Sequence, residues 1–337
     1  MLSSLAWVYG KVADLRNTLY DRGVLETFDL GAYTISIGNI TTGGTGKTPL
    51  VALVAHILAK RGEKVCILTR GYGRTQPRER VLVSDAEKIL ADPEEAGDEP
   101  YELALKLLGK AIVIADADRV SAAQWAKRKF GVNAFILDDG FQHRRVRRDV
   151  DIVCIDATNP FGAGKMLPAG RLREPVNNLS RADIVVITRS NLVENLDKIK
   201  SEISNLRSGT PVIVSETRIA GVVELGEFHA TPQATQSKER SEKALAFCGL
   251  GNPKNFYSQL RLEGFTVSAN KSFPDHHSYT QNDIFEIEKL AAESSAALLL
   301  TTAKDAVKLS NLKFEIPCRV VEIEMVLDKP EEFAAMI

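Results

Sequence analysis

The stretch "ISIGNITTGGTGKTPLVALVAHIL" (residues 35–58) decides the fold, because it joins a strand-like run to an amphipathic helix through a glycine-rich turn. The turn ends in Gly-Lys-Thr at residues 46–48, as a phosphate-binding loop does. The strict pattern G-x-x-x-x-G-K-[ST] would place glycine where this chain has Thr41. The strand, turn and helix are nevertheless in register, so we interpret the stretch as a variant phosphate loop rather than an incidental turn.

The residue types in this loop suit a nucleotide phosphate. Glycines let the backbone turn tightly and direct amide N–H groups at an anion, beside the positive N-terminus of the following helix. Lys47 would neutralise the β- and γ-phosphates, and Thr48 would offer its hydroxyl to Mg²⁺. The predicted nucleotide-binding residues are Thr42, Gly43, Gly44, Thr45, Gly46, Lys47 and Thr48.

Apolar runs such as "KVCILTR", "AIVIAD", "NAFILDD" and "ADIVVITRS" alternate with helix-length segments along the chain. This alternation predicts an α/β fold, a P-loop NTPase-like parallel sheet flanked by helices. The polar stretch "HATPQATQSKERSEKA" predicts a surface excursion near a domain boundary, and a second α/β unit follows it. We therefore predict an N-terminal amphipathic helix over residues 1–25, a P-loop core domain over 26–218 and a smaller C-terminal α/β domain over 219–337 that closes over the cleft.

Composition excludes some classes of function. The 337 residues are 44% hydrophobic and 26% charged with a net charge of −1, which gives no support to general nucleic-acid binding. The four cysteines lack any C-x-x-C spacing and are predicted to be buried, reduced thiols of a cytosolic protein. The sequence has no run of 18 apolar residues, so it predicts no transmembrane span.

The first 25 residues carry apolar side chains at helical spacing but lack the basic start and cleavage site of a signal peptide. The residues alone leave two interpretations open. The helix lies on a membrane surface, or it packs on the protein's own core, which is the commoner case.

Two acidic pairs are candidates for chemistry. Asp138 and Asp139 end an apolar strand, where a Walker-B carboxylate would meet Mg²⁺, although neighbouring strand residues point to opposite faces and either could serve. Asp98 and Glu99 open a helix, where acids commonly cap the N-terminus; the alternative is a general base or a second metal ligand.

A loop and several strand ends add further polar groups. "SFPDHHSYT" places His276 beside an aspartate, a pair that could hold a proton, although incidental loop histidines are an equal alternative. Basic residues at strand ends and in the following loops predict an anionic substrate. They are Arg70, Arg74, Arg119, Arg171 and Arg173.

Eight motifs occur in a recognisable order: "GNITTGGTGKTP", "RGYGR", "GDEP", "DDGFQH", "LPAGRLREP", "GLGNP", "FPDHHSYT" and "TTAKDAVKL". Together they resemble the tetraacyldisaccharide 4′-kinase family of lipid A biosynthesis, from the N-terminal helix to about residue 310. That family carries threonine at the position of Thr41, so the departure from the strict loop becomes a family trait.

The resemblance implies an ATP- and Mg²⁺-dependent kinase that phosphorylates the 4′-hydroxyl of a tetraacylated glucosamine disaccharide 1-phosphate, forming lipid IVA. It implies a peripheral protein on the cytoplasmic face of the inner membrane of a Gram-negative bacterium, with the N-terminal helix on the membrane surface. We expect it to be a monomer that binds no nucleic acid.

The resemblance also implies roles for the candidate residues. Asp98 is the expected base, supported by His276, while Lys47 and Asp139 complete the catalytic set. Thr48, Asp138 and Glu99 are the expected metal site. Arg173 joins the nucleotide-binding set and is preferred to Arg171, because the family usually has proline at position 171.

Two other classes of protein compete with this interpretation. Partition-type ATPase switches share Gly-Gly-x-Gly-Lys-Thr but carry a lysine before the two glycines, where this chain has Thr42. A cytosolic kinase for a small soluble alcohol would not need the amphipathic N-terminal helix.

Overall fold

A computed structural model describes residues 2–230 and 242–337 of the chain. The strands are β1 (Tyr33–Asn39), β2 (Val65–Thr69), β3 (Val81–Ser84), β4 (Ala111–Ala115), β5 (Ala134–Asp138), β6 (Val150–Asp156), β7 (Ile184–Thr188), β8 (Val212–Glu224), β9 (Lys243–Cys248), β10 (Thr266–Ser272), β11 (Leu298–Thr302) and β12 (Cys318–Leu327). The α-helices are α1 (Leu2–Asp21), α2 (Lys47–Lys60), α3 (Pro93–Ala96), α4 (Asp98–Lys106), α5 (Arg119–Phe130), α6 (Asp197–Leu206), α7 (Leu225–Ala230), α8 (Pro253–Leu262), α9 (Gln281–Glu293), α10 (Ala303–Ala306) and α11 (Pro330–Met336).

The twelve strands found among the described residues form one sheet in the order β10-β9-β11-β12-β8-β7-β6-β1-β5-β2-β4-β3. Strands β2, β4, β5, β6 and β7 are buried at every residue. Strands covered by helices on both faces need continuous apolar runs, so these strands could be predicted from the sequence. The predicted α/β class with a parallel sheet flanked by helices is confirmed, and the sheet is mostly parallel.

The long strand β8 joins two halves of the sheet. Its first residues pair in parallel with β7, and from Ser215 to Glu224 it pairs with antiparallel β12. Strands β9 and β11 run parallel to β12 and therefore opposite to β7. Strand β7 pairs with the first residues of β8, whereas β11 pairs with the part of β12 that lies opposite residues 222–224 at the other end of β8. Because of this offset, the carboxyl ends of the parallel strands in the N-terminal half (β1–β7) face those of the C-terminal half (β9–β12), and the cleft lies where they meet.

The structure adds detail to the sequence predictions. The β8–β12 and β3–β4 pairs are antiparallel within the mostly parallel sheet. The predicted boundary at residues 218 and 219 falls inside β8, and residues 225–230 form α7. Residues 231–241 of the predicted surface excursion lie outside the described residues, and the division into domains stays a prediction. The four cysteines are buried and free, as predicted.

Candidate active site

A cavity of about 920 Å³ lies between the two halves of the sheet. The N-terminal half contributes the phosphate loop at residues 43–49, together with Asp138 and Asp139 at the end of β5. The C-terminal half contributes Asp275 and His276, which follow β10. Residues far apart in sequence thus line one cleft because the carboxyl ends of their strands converge there.

The phosphate loop has the backbone that its glycines permit. Gly43 and Gly46 have φ values of 106° and 80°, a region that glycine enters without steric cost. A Cβ added to Gly46 would also lie 3.3 Å from the Thr188 side chain. Asn39 Nδ2 donates to Thr45 Oγ1 at 2.8 Å and ties the loop to the end of β1. Since α2 begins immediately after Gly46, the positive end of that helix faces the cleft.

Thr42 is placed apart from the other predicted loop residues. Its backbone N–H donates to the Arg171 carbonyl at 2.8 Å, so this amide is already used within the protein. Thr42 lines a small neighbouring cavity together with Asp156 and does not line the main cleft.

Asp139 is held by two cations. Lys47 Nζ lies 3.4 Å from Asp139 Oδ1, and Arg173 Nη1 donates to both carboxylate oxygens at 2.9 and 2.7 Å. Burial alone would raise the pKa of Asp139, but the positive charges of Lys47 and Arg173 lower it to about 2. Asp139 has a φ of 51°, so the strand alternation ends there and both neighbouring aspartates reach the cleft.

Asp138 is in a different electrostatic environment. It is only 4% exposed and accepts a hydrogen bond from Thr69 Oγ1 at 3.0 Å. Burial raises the pKa of Asp138 to about 6, and the negative charges of Glu99 and Asp139 add to the rise. A cation beside this carboxylate would favour its ionised form, so the environment of Asp138 fits a divalent metal.

Asp98 and His276 join the two halves of the sheet, and His276 lines the cleft whereas Asp98 lies just outside its lining. Asp98 and Glu99 lie in the first turn of α4, whose N-cap residue is Gly97 with no side-chain cap hydrogen bond, so Asp98 is not the N-cap residue itself. His276 Nδ1 lies 3.2 Å from Asp98 Oδ2, and Lys308 Nζ donates to the same oxygen at 3.1 Å. Burial would raise the pKa of Asp98, but the hydrogen bond to His276 and the charge of Lys308 hold it below its usual value. Asp98 is therefore a carboxylate at neutral pH and can accept a proton.

The sequence reasoning missed two lysines at this site. Lys304 Nζ donates to Asp275 Oδ1 at 2.9 Å and lies 3.4 Å from Glu99 Oε1, while Lys308 contacts Asp98. Both come from "TTAKDAVKL", directly after β11. Two lysines four residues apart after a strand end were the available signal, because such spacing places both on one side of a helical turn.

The predicted arginines divide into those that line the cleft and those that do not. Arg70, Arg119 and Arg173 line it. Arg119 is 4% exposed and donates to the backbone carbonyls of both strand-end aspartates, at 2.6 and 3.3 Å. Arg74 donates to two backbone carbonyls at 2.8 Å and stabilises a loop outside the cleft. Arg171 is exposed and bonds the Gly251 carbonyl at 3.3 Å.

Protein side chains alone do not enclose a metal in the part of the chain that the structure describes. There, no group of three or more His, Cys, Asp and Glu side chains could hold an ion. Thr48, Asp138 and Glu99 do line the same cleft. This set fits Mg²⁺, which is commonly bound by one or two carboxylates plus the phosphates of a substrate.

Comparison with known proteins decides the family. All of residues 1–337 match the family model described as Tetraacyldisaccharide-1-P 4′-kinase. The chain belongs to this family. The resemblance drawn from the eight motifs is therefore confirmed.

Members of the tetraacyldisaccharide 4′-kinase family match over most of their length. The enzyme of that name from Halothermothrix orenii is 40% identical over 319 residues, which is 92% of this chain and 83% of the relative. The one from Geobacter metallireducens is 37% identical over 337 residues, 99% of this chain and 96% of the relative. A crystal structure of LpxK from Aquifex aeolicus in complex with ATP has a TM-score of 0.76 and 30% identity, covering 99% of this chain and 96% of that one.

Helix α1 of this kinase-family chain turns an apolar face outward. Trp7, Val12 and Leu15 are 66%, 59% and 60% exposed. The buried residues of α1 are small or polar, and Asn17 among them donates to the buried Glu174 carboxylate at 2.7 Å. The interpretation that the apolar face of α1 packs on the core is therefore wrong. Within residues 2–230 and 242–337, no helix has both the length and the apolarity needed to cross a membrane.

Proposed function

We propose that this chain transfers the γ-phosphoryl group of ATP to the 4′-hydroxyl of a tetraacylated glucosamine disaccharide 1-phosphate, forming lipid IVA. The observation that carries the proposal is one cleft lined on one side by a phosphate loop and on the other by His276, the hydrogen-bond partner of Asp98. Family membership supports the lipid acceptor, and the LpxK structure with ATP supports the donor.

The loop residues would hold the donor. Gly43 to Thr48 would cradle the phosphates, with Lys47 opposite the β- and γ-phosphates and Arg173 completing the positive wall. Thr48, Asp138 and Glu99 would hold Mg²⁺, which supplies neutralisation of phosphate charge when bound.

The acceptor hydroxyl would be activated by Asp98. The 4′-oxygen forms a bond to the γ-phosphorus while the bond from that phosphorus to the β,γ-bridging oxygen breaks, and ADP leaves with the electron pair. The hydroxyl proton passes to Asp98, whose carboxylate is held by His276 at 3.2 Å. Positioning and charge neutralisation carry most of such a reaction, so a base with a lowered pKa is adequate.

The exposed apolar face of α1 supports binding to the cytoplasmic face of the inner membrane. Side chains such as Leu5, Trp7 and Val12 would enter the interface between headgroups and acyl chains. Arg16 and Tyr9 of the same helix line the cleft, which would bring the lipid headgroup to the site. We also propose that the active form is a monomer.

The decisive experiment is transfer of labelled γ-phosphate from Mg-ATP to tetraacyl disaccharide 1-phosphate in detergent micelles. We expect a labelled lipid with the intact chain and at least a 100-fold slower reaction with Lys47→Ala, as roughly expected for removing an electrostatic catalytic group. ATP hydrolysis that is equal with and without lipid, and no labelled lipid, would favour a switch ATPase. Phosphorylation of soluble alcohols in preference to the lipid would favour the soluble kinase.

The base is tested separately by Asp98→Ala. Turnover should fall by roughly 10²–10⁴-fold while the KM for ATP changes little, because general-base catalysis contributes that much to a rate. Glu94→Ala is the matched control, since Glu94 is an exposed acid of the preceding helix. Near-full turnover of Asp98→Ala would show that another group accepts the proton.

A further inference from the structure

The Lys308 side chain packs against buried groups of the C-terminal half. Its side chain is 12% exposed, and its ammonium lies 5.6 Å from the centre of the Tyr279 ring and 3.9 Å from Asp305 Oδ1. Asp305 is fully buried and is itself fixed by hydrogen bonds from the Gly249 N–H at 3.0 Å, Tyr279 Oη at 3.0 Å and Thr302 Oγ1 at 2.6 Å. Asp305 and Tyr279 of the C-terminal half therefore fix the position of the Lys308 side chain.

The ammonium group of Lys308 contacts the N-terminal half. Lys308 Nζ donates to Asp98 Oδ2 at 3.1 Å, and His276 Nδ1 approaches the same oxygen at 3.2 Å. Two contacts on the same carboxylate oxygen restrain the rotation of the Asp98 carboxylate. Asp98 is thus oriented by groups of the opposite half of the sheet.

We propose that Lys308 is a positioning residue for phosphoryl transfer, which acts by holding Asp98 Oδ2 so that Oδ1 receives the proton of the acceptor hydroxyl. The proposal rests on the proposed role of Asp98 as proton acceptor. A misplacement of about 1 Å in a reacting group can cost on the order of 10²-fold in rate, so loss of this contact should be visible in turnover.

An ion pair that merely joins the two halves is the competing explanation. Loss of such a pair would lower the melting temperature and raise the KM for ATP as well as lower turnover. A positioning role predicts an effect confined to turnover. Both explanations predict that the effect of Lys308 disappears once the Asp98 carboxylate is gone, because the two residues are coupled, so the melting temperature and the KM for ATP distinguish them.

The test compares Lys308→Met, Lys308→Arg, Asp98→Asn and the Asp98→Asn/Lys308→Met double variant in the intact chain. Transfer to the micellar lipid gives kcat and the KM for ATP, and thermal melting gives stability. Lys313→Met is the control, since Lys313 is an exposed lysine five residues further on.

We expect Lys308→Met to lower kcat by roughly 10- to 100-fold with less than a threefold change in the KM for ATP, in line with a lost orientation. Lys308→Arg should recover most of the rate, and the double variant should be as slow as Asp98→Asn alone.

Three results would overturn the proposal: a Lys308→Met variant within twofold of the unchanged chain, a further loss when Lys308→Met is added to Asp98→Asn, or no recovery in a well-folded Lys308→Arg variant. If the unchanged chain transfers no phosphate, the proposed function itself fails and this inference fails with it.

Discussion

Lys47 Nζ lies 3.4 Å from Asp139 Oδ1, so the first residue of α2 and the residue after β5 form an ion pair at the base of the cleft. Both side chains are largely buried, at 13% and 14% exposure. The pair ties the phosphate loop to the acidic strand end. The same lysine is thereby placed where nucleotide phosphates would bind.

Lys47→Ala should therefore impair the use of ATP as a substrate. We expect kcat/KM for ATP to fall by roughly 10²-fold or more, because a preorganised charge in a buried site contributes that much. The matched control is Lys60→Ala, which removes an exposed lysine from the last turn of the same helix. Equal losses in both variants would mean that α2 is damaged rather than the cradle.

Arg173 should matter more than Arg171. Arg173 donates to both oxygens of Asp139, whereas Arg171 is exposed and contacts one backbone carbonyl at 3.3 Å. Arg173→Ala should lower kcat/KM at least tenfold, in line with roughly 1.5–3 kcal/mol for a charged hydrogen bond, and Arg171→Ala should change it less than threefold. The measurement is the initial rate against ATP concentration, and the reverse order of effects would contradict the assignment.

Asp138 should make stability fall as pH rises. Its carboxyl has a pKa of about 6 in the folded protein against a reference of 3.8, so the folded state holds the extra proton between these values. Stability without added metal should therefore decline from about pH 4 to about pH 6 and then level off. The difference between the two pKa values corresponds to roughly 3 kcal/mol.

Asp138→Asn removes the cost of ionising a buried carboxyl group. The substitution should therefore stabilise the chain by up to roughly 3 kcal/mol at pH 8 and much less at pH 4.5. The measurement is urea unfolding with a metal chelator present. Asp139→Asn is the comparison with opposite sign, because the pKa of Asp139 is lowered to about 2 by its cations and its charge supports folding above about pH 4. A gain for Asp138→Asn that is independent of pH would contradict this account.

The outward face of α1 should bind lipid. Trp7→Ser with Val12→Ser should weaken cosedimentation with phospholipid vesicles by roughly tenfold or more, since each buried large apolar side chain contributes about 1.5–3 kcal/mol. Phe285→Ser is the matched control, because Phe285 is 63% exposed but lies on α9. Undiminished vesicle binding by the α1 variant would remove the membrane role from this helix.

Local patterns were sufficient for much of the fold. Each of the strand ends at Thr69, Asp138 and Thr188 follows a run that is apolar at every position, as burial between helices requires. The direction of β12 was not predictable in this way, because an apolar strand has the same sequence pattern in parallel and antiparallel pairs. That direction is what makes the two halves face each other.

The sequence by itself determined the phosphate loop, the acidic strand end and the family, since these depend on neighbouring residues and on motifs in fixed order. Only the tertiary structure decided which residues Asp98 contacts. Its sequence neighbours favour a helix cap, but its contacts are His276 and Lys308, 178 and 210 residues away. Which charged side chains form pairs depends on how the strands converge in space. Local sequence patterns do not indicate the distances between side chains that are far apart in the chain.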